Sequence, residues 1–338
     1  MLNPRILLRS VAVLTLMLPL ASLAVTLKIA TAAPDGTAWM KSMRQAGERI
    51  AELTEDRVKL KFYPGGVMGG ASTVIRKMRV GQLQGGAFTG GELSEIQPDF
   101  FLYSLPFFFA DEAEVQYVRS KLDQRVAAGL EEKGMVLIGI SGGGFVYLMS
   151  DHPIASTDDL AASKVWIPEG DTVSELGMRQ GGVAPIPFPL ADVYTALQTG
   201  LIDTVLNTSV GAIAFQWHTK VKFVTDVPVA YVVGVLALDK RSFGRVNSAD
   251  QAVVKQVIGA VFKELDEINI KDNIGARQAL INQGIKFIQP TAEQSEEWHQ
   301  VGIRTLEQLR SNTDIGLQNL EFIIDQLEVY REARRGGS

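Results

Sequence analysis

Cysteine is absent from this chain of 338 residues, and histidine is scarce. Without cysteine the chain has no disulfide, no thiol nucleophile and no cysteine that carries a lipid. His152, His218 and His299 are far apart in the sequence and show no metal-binding spacing such as HxxxH. An enzyme would need a nucleophile, a metal or an acid–base set, and the sequence offers none. We therefore predict no metal, no cofactor and no enzymatic activity.

Long hydrophobic runs are also scarce, and the clearest one lies at the N-terminus. Arg5 and Arg9 form a short basic region, and an apolar stretch follows it from Val11 to Leu20. The stretch is too short to span a membrane comfortably, and a small-x-small sequence ending at Ala24 follows it. This pattern predicts a signal peptide over 1–24 and export of the mature chain to the periplasm.

Basic residues are fewer than acidic residues, so the net charge is −5 and the isoelectric point is about 5.4. This balance argues against nucleic acid or another polyanion as a partner. The hydrophobic fraction of 46% is ordinary for a globular chain. The chain exceeds the usual size of a single hydrophobic core, which predicts two lobes.

Short apolar runs alternate with helical patterns, which is typical of an α/β fold. In the first half, we predict strands at Leu27–Thr31, Val58–Phe62 and Met135–Ile140, and a helix over about 72–83. A glycine-rich stretch, Gln84–Gly91, follows that helix.

The second half repeats this alternation. A helix is predicted at Ala191–Thr199, ended by Gly200. The apolar stretch Val227–Leu238 is long for one strand, so we interpret it as a crossing between lobes. Long helices are predicted from Ser248 to Gln283 and from Thr291 to near the end.

Four motifs occur in an order that carries a family resemblance: FYPGG at 62–66, LPFFF at 105–109, PI at 153–154 with DDL at 158–160, and YTALQTG at 194–200 with Asp203 and Asn207. Together they resemble the DctP-type solute-binding protein of tripartite ATP-independent periplasmic (TRAP) transporters. The resemblance implies a receptor that closes on a small ligand and docks on membrane permease subunits driven by an ion gradient. We expect a monomer.

The resemblance also implies a two-lobed, class II-like Venus-flytrap fold. Lobe one would hold 25–143 plus about 237–280, and lobe two would hold 144–236. The C-terminal helices, at about 281–338, would bridge the lobes.

Members of this family usually clamp a ligand carboxylate with arginine, whose guanidinium offers two parallel donors. In this sequence Trp166 stands at the first arginine position, and Val146 stands at the second. The usual acidic pocket residue falls at Thr89, beside Phe88, and the usual aromatic residue falls at Leu190.

The remaining candidate ligand contacts lie in the second lobe. Glu169 follows Trp166 by three residues, and Asn207 is the polar anchor that the resemblance implies. Tyr147 is a further candidate, although strand packing explains it equally well. Glu92 and Glu95 fit surface charges better than an acid–base pair.

Loss of both arginines predicts a neutral or largely apolar ligand, because a buried carboxylate without a cation is costly. Asn207 and Thr89 would orient that ligand. The alternatives are a cationic ligand held by Trp166 and Glu169, or an indole at Trp166 that only fills space. A carrier or sensor of hydrophobic molecules that does not serve transport would use the same fold.

Overall fold

The protein is described by a computed structural model that covers residues 24–312 and 316–336. The predicted signal peptide lies outside these residues, apart from Ala24. Within the part that is described, none of the helices combines the length and apolar character that a membrane span requires.

The strands of the described chain, numbered in order, are β1 (Val25–Thr31), β2 (Val58–Tyr63), β3 (Gly85–Thr89), β4 (Met135–Ser150), β5 (Trp166–Pro168), β6 (Ile186–Phe188), β7 (Thr204–Asn207), β8 (Phe223–Thr225), β9 (Ala230–Asp239) and β10 (Lys286–Ile288). The helices are α1 (Ala38–Leu53), α2 (Ala71–Arg79), α3 (Gly90–Leu93), α4 (Glu112–Glu132), α5 (Thr157–Ala161), α6 (Thr172–Gln180), α7 (Val193–Thr199), α8 (Ser209–Ala214), α9 (Lys240–Phe243), α10 (Ser248–Asn282), α11 (Ala292–Ser311) and α12 (Leu320–Gly336).

Two groups of strands define two α/β lobes. In the first, β1 pairs in parallel with β2 and β3, and β9 runs antiparallel between β3 and the first part of β4. In the second, the last part of β4 pairs with β7 and β8, and β8 pairs with β10. The short pair β5–β6 joins β7 through a bridge between Val165 and Thr204. We refer to these groups as lobe one and lobe two.

Lobe one is buried on both faces of its sheet, which explains the nearly continuous apolar character of β9. Val233 and Val235 face one hydrophobic cluster, together with Phe88. Leu236 and Leu238 face the other cluster, which is formed with α1 and α10. Helices on both faces of a sheet remove it from water and favour apolar residues at every position.

The lobes are joined by ordered strands. The predicted crossing at 227–238 corresponds to β9, which runs alongside β4. The strand predicted at Met135–Ile140 is longer in the structure, because β4 continues to Ser150 with a change of register between Gly142 and Gly144. Gly144 has a φ of 114°, and Asn273 Nδ2 donates to Gly143 O at 2.8 Å, so the irregular backbone is held in place.

Long helices bridge the two lobes. Helix α10 packs against α1 of lobe one and α8 of lobe two, while α11 packs on α5 and α6 and α12 packs on α4. The prediction of a single helix after Thr291 was wrong, because α11 ends at Ser311 and α12 begins at Leu320. Between them Gly316 has a φ of 69°, which does not continue a right-handed helix.

Candidate functional site

The two lobes lie in contact across a narrow cleft. A cavity of about 20 Å³ lies at this boundary, with Met68, Phe88 and Glu92 from lobe one and Leu190 and Ala191 from lobe two among its lining residues. Such a volume holds about one water molecule. The structure is therefore a closed form, and a larger solute enters only when the lobes separate.

The lobe-one face of the cleft is built at the carboxyl end of β3. Phe88 is buried, and the next residue, Thr89, begins α3 as its N-cap. Thr89 Oγ1 accepts a hydrogen bond from Glu92 N at 3.3 Å, while Glu92 Oε2 accepts one from Thr89 N at 2.7 Å. This reciprocal pair is a capping box, and it fixes the Glu92 side chain, which lines the cavity.

Glu92 is not the surface charge that the sequence suggested. Its side chain is half-buried and lines the cavity between the lobes. Burial raises the pKa of Glu92, and hydrogen bonds from Thr89 oppose that rise. The T-x-x-E spacing directly after a strand was the signal that would have identified it. Glu95, by contrast, is exposed, as expected.

The structure places Trp166 in the interior of lobe two. Its side chain is only 2% exposed, and its Nε1 donates a hydrogen bond to Phe188 O at 3.0 Å. The indole also packs edge-on against Trp217, with 5.3 Å between ring centroids. Strand β6 and Trp217 cover the indole, so Trp166 is not among the residues that line the cavity, although the sequence analysis placed it at a ligand-binding position.

Leu190 is the lobe-two candidate that reaches the cavity. It lies just after β6, is half-buried, and lines the same space as Phe88 and Glu92. Glu169 follows β5 in a loop and is exposed to solvent. An exposed carboxylate is strongly screened by water, so Glu169 provides little of the countercharge that a buried cation needs.

Val146 and Tyr147 are neighbours on β4, but the two residues lie in different surroundings. Val146 O accepts a hydrogen bond from Val229 N at 2.8 Å, and its side chain is half-buried. Tyr147 lines a different cavity, of about 220 Å³, on the α10 side of the strand together with Arg277. Burial raises the pKa of Tyr147.

Asn207 ends β7 and pairs across the sheet with Tyr147. Its Oδ1 accepts a hydrogen bond from Thr208 N at 2.8 Å, which fixes the side chain at the start of α8. Its Nδ2 has no protein partner among the residues that the structure describes. Asn207 is not among the residues that line the cavity between the lobes.

The structure thus gathers Phe88, Leu190 and the missed residue Glu92 around one cavity. Thr89 does not line this cavity but is hydrogen-bonded to Glu92, which does. Trp166 lies in the core of lobe two. Over the described ranges, no three His, Cys, Asp or Glu residues are grouped in a way that could hold a metal ion.

Two α/β lobes, joined by ordered strands and closed on a cleft, define the class of periplasmic binding proteins. A family model described as "Bacterial extracellular solute-binding protein, family 7" (DctP) matches residues 29–312. The chain belongs to this family.

Individual relatives agree with this assignment. The chain is 24% identical over 249 residues to a solute-binding protein of Chromohalobacter salexigens, which covers 73% of this chain and 74% of the relative. It is 23% identical over 261 residues to the C4-dicarboxylate-binding periplasmic protein DctP of Rhodobacter capsulatus, covering 75% and 77% of the two chains.

The fold is also that of solved TRAP solute-binding proteins. A crystal structure from Haemophilus influenzae with bound L-gulonate superimposes with a TM-score of 0.82 at 17% identity, covering 89% of this chain and 99% of that one. The family consists of periplasmic receptors that bind small molecules and work with the membrane permease subunits of TRAP transporters. The chain is accordingly a solute receptor and not an enzyme.

Proposed function

We propose that this receptor captures a neutral or largely apolar small molecule, is exported by its N-terminal signal peptide, and delivers the ligand as a monomer. We also propose that lobe one comprises residues 25–143 and about 237–280, and that lobe two comprises residues 144–236. The observation that carries the ligand class is the loss of both cationic anchors. Trp166, at the first position, is buried and hydrogen-bonded within the protein, and Val146 occupies the second.

The charge of the cleft supports this ligand class. Among the described residues that line the cavity between the lobes, Glu92 is the ionisable one. A ligand carboxylate there would meet a side chain of like charge and no cation. Burial of an unpaired charge costs several kcal/mol, on the order of the binding free energy of a weak ligand.

Two polar groups are suited to orient a neutral ligand. Glu92 accepts hydrogen bonds from hydroxyl, amide or amine groups, and Asn207 Nδ2 donates to a carbonyl or hydroxyl oxygen. Phe88 and Leu190 supply apolar contact. This proposal departs from the relatives above, of which one is named for C4-dicarboxylates and another was solved with L-gulonate.

A cationic ligand is the second candidate, and Glu92 is the observation that favours it. The pair first expected to hold such a ligand, Trp166 and Glu169, gives it little support, because one is inside lobe two and the other is solvated. A carrier or sensor would share this cleft, and it would differ in failing to restore uptake by a reconstituted TRAP permease.

Thermal unfolding with matched ligand pairs tests the ligand class. Each pair combines a carboxylate with its neutral amide, such as succinate with succinamide, and an amine of similar size is the third member. A ligand at a hundred times its Kd stabilises the native state by about 2.7 kcal/mol. We expect no rise in Tm with succinate, malate or sialic acid, and a rise with at least one neutral or amine compound. Stabilisation by the acids alone would contradict the proposal.

A further inference from the structure

Glycines stand at the points where the two lobes touch. A Cβ atom added at Gly66 would lie 2.8 Å from Ala191 Cβ, across the cleft. One added at Gly70 would lie 3.1 Å from Pro189 Cβ, and one added at Gly91 would lie 3.0 Å from Asp171 Oδ2. These distances are shorter than ordinary van der Waals contact, so the lobes meet as closely as they do because side chains are missing at these positions.

We propose that Gly70 and Gly91 are affinity-determining residues of the receptor, because they set how far the lobes close. Closure is the step that surrounds the ligand with both lobes, so a ligand that contacts both is bound tightly only when that state is accessible. The proposal goes beyond the identity of the ligand and rests on the two-lobed fold alone.

The backbone of lobe one does not itself require glycine at either position. Gly70 is the N-cap of α2, with φ −68° and ψ 175°, which any residue adopts. Gly91 lies inside α3, where alanine is a better helix residue than glycine. Gly66 differs, because its φ of 71° favours glycine whatever lies opposite.

The requirement for glycine at residues 70 and 91 comes from the contacts that these residues make with lobe two. Apart from the glycine, its chain neighbours and its own helix backbone, the atoms within 4 Å of an added Cβ belong to Pro189 at residue 70 and to Asp171 at residue 91. Pro189 is a rigid ring, and Asp171 is held by hydrogen bonds from Ser174 N at 2.9 Å and Ser174 Oγ at 2.7 Å. Neither neighbour moves aside freely, so an added side chain at either position disfavours the close approach of the lobes.

The substitutions Gly70→Ser and Gly91→Ala isolate this effect. Serine is a favourable N-cap and alanine a favourable helix residue, so lobe one should fold as well as before. Overpacking at a close contact typically disfavours the packed state about tenfold or more. The matched control is Gly259→Ala in α10, where an added Cβ has nothing within 4 Å.

Pulsed dipolar electron resonance on the full ligand-free mature chain measures the closed population directly. The chain contains no cysteine, so spin labels at Lys41→Cys on α1 and Gln198→Cys on α7, both exposed, attach without competition. We expect a closed population at shorter distance in the parent and in Gly259→Ala. That population should fall at least about fivefold in Gly70→Ser and in Gly91→Ala, with Tm unchanged or raised.

Two results would overturn the proposal. One is an undiminished closed population in both Gly70→Ser and Gly91→Ala. The other is a parent chain without any closed population, since the close contacts would then not be formed by the free protein. Because no ligand is added, neither result bears on the proposed ligand class.

Discussion

The two faces of the cleft are built on different principles. On the lobe-one face, a capping box at the end of β3 holds a carboxylate, Glu92, against the cavity. On the lobe-two face, the strand β5 that would present an arginine instead turns an indole, Trp166, into the core. The lobe-one face carries an ionisable acceptor, whereas the lobe-two face contributes the apolar residues Leu190 and Ala191 to the cavity.

This difference shows that a position that the family resemblance assigns to ligand binding can serve the core instead. Trp166 fills the interior of lobe two against Trp217 and Phe188. The proposed ligand class therefore rests on the side chains that line the cavity between the lobes. These include the carboxylate of Glu92 and the apolar side chains of Phe88 and Leu190.

The largest effect is expected from Trp166→Ala. Removal of a buried aromatic side chain typically lowers the free energy of unfolding by about 3–5 kcal/mol. The hydrogen bond to Phe188 O would also be lost. Chemical denaturation of the ligand-free protein measures this change, with Trp166→Phe as the milder control. A loss below about 1 kcal/mol would contradict the assignment of the indole to the core.

The second effect separates the two polar candidates of lobe two. Asn207→Ala should weaken binding of a neutral ligand by about 1–3 kcal/mol, because a ligand group is left unpaired. Glu169→Ala should leave affinity unchanged, since Glu169 is exposed. Calorimetry with the compound that gives the largest thermal shift provides the comparison. Equal losses in both variants would show that Asn207 has no special part in binding.

The smallest effect concerns the lobe-one carboxylate and depends on pH. Burial raises the pKa of Glu92 above its ordinary value of 4.5, so the native state favours the protonated form. Its contribution to stability is present below pH 4.5 and is lost as the pH rises through the folded-state pKa. Glu92→Gln should therefore lose less stability than the parent between acidic and neutral pH.

Asp171 is the matching group in lobe two, because burial also raises its pKa. Asp171→Asn should flatten the same part of the curve of unfolding free energy against pH. If Glu92→Gln follows the parent curve closely, Glu92 is solvated in solution and the lobe-one face is not as described.

The family motifs predicted local structure well. The helix in the YTALQTG segment ends as expected, with Gly200 in the left-handed conformation at a φ of 70°. The apolar stretch at 227–238 coincides with a single strand, β9, which runs alongside β4. These features depend on neighbouring residues, which a single sequence displays directly.

Features that depend on distant residues were predicted less well. The burial of Trp166 results from Trp217, which is 51 positions away and carries no local signal. Tyr147 was expected at the cleft as a candidate, and it lines a separate cavity because alternate residues of β4 face opposite sides. Which side of a strand faces a cleft follows from register, and register is a property of the assembled sheet.

Identification of the bound solute is the decisive test of the proposed ligand class. The protein would be purified from the periplasm without added ligand, and the compound released on denaturation would be identified by mass spectrometry at stoichiometric amounts. We predict a molecule without a carboxylate, either neutral or bearing an amine. A stoichiometric dicarboxylate or sugar acid would contradict the proposal, because the described residues that line the cavity include no lysine or arginine to pair with it.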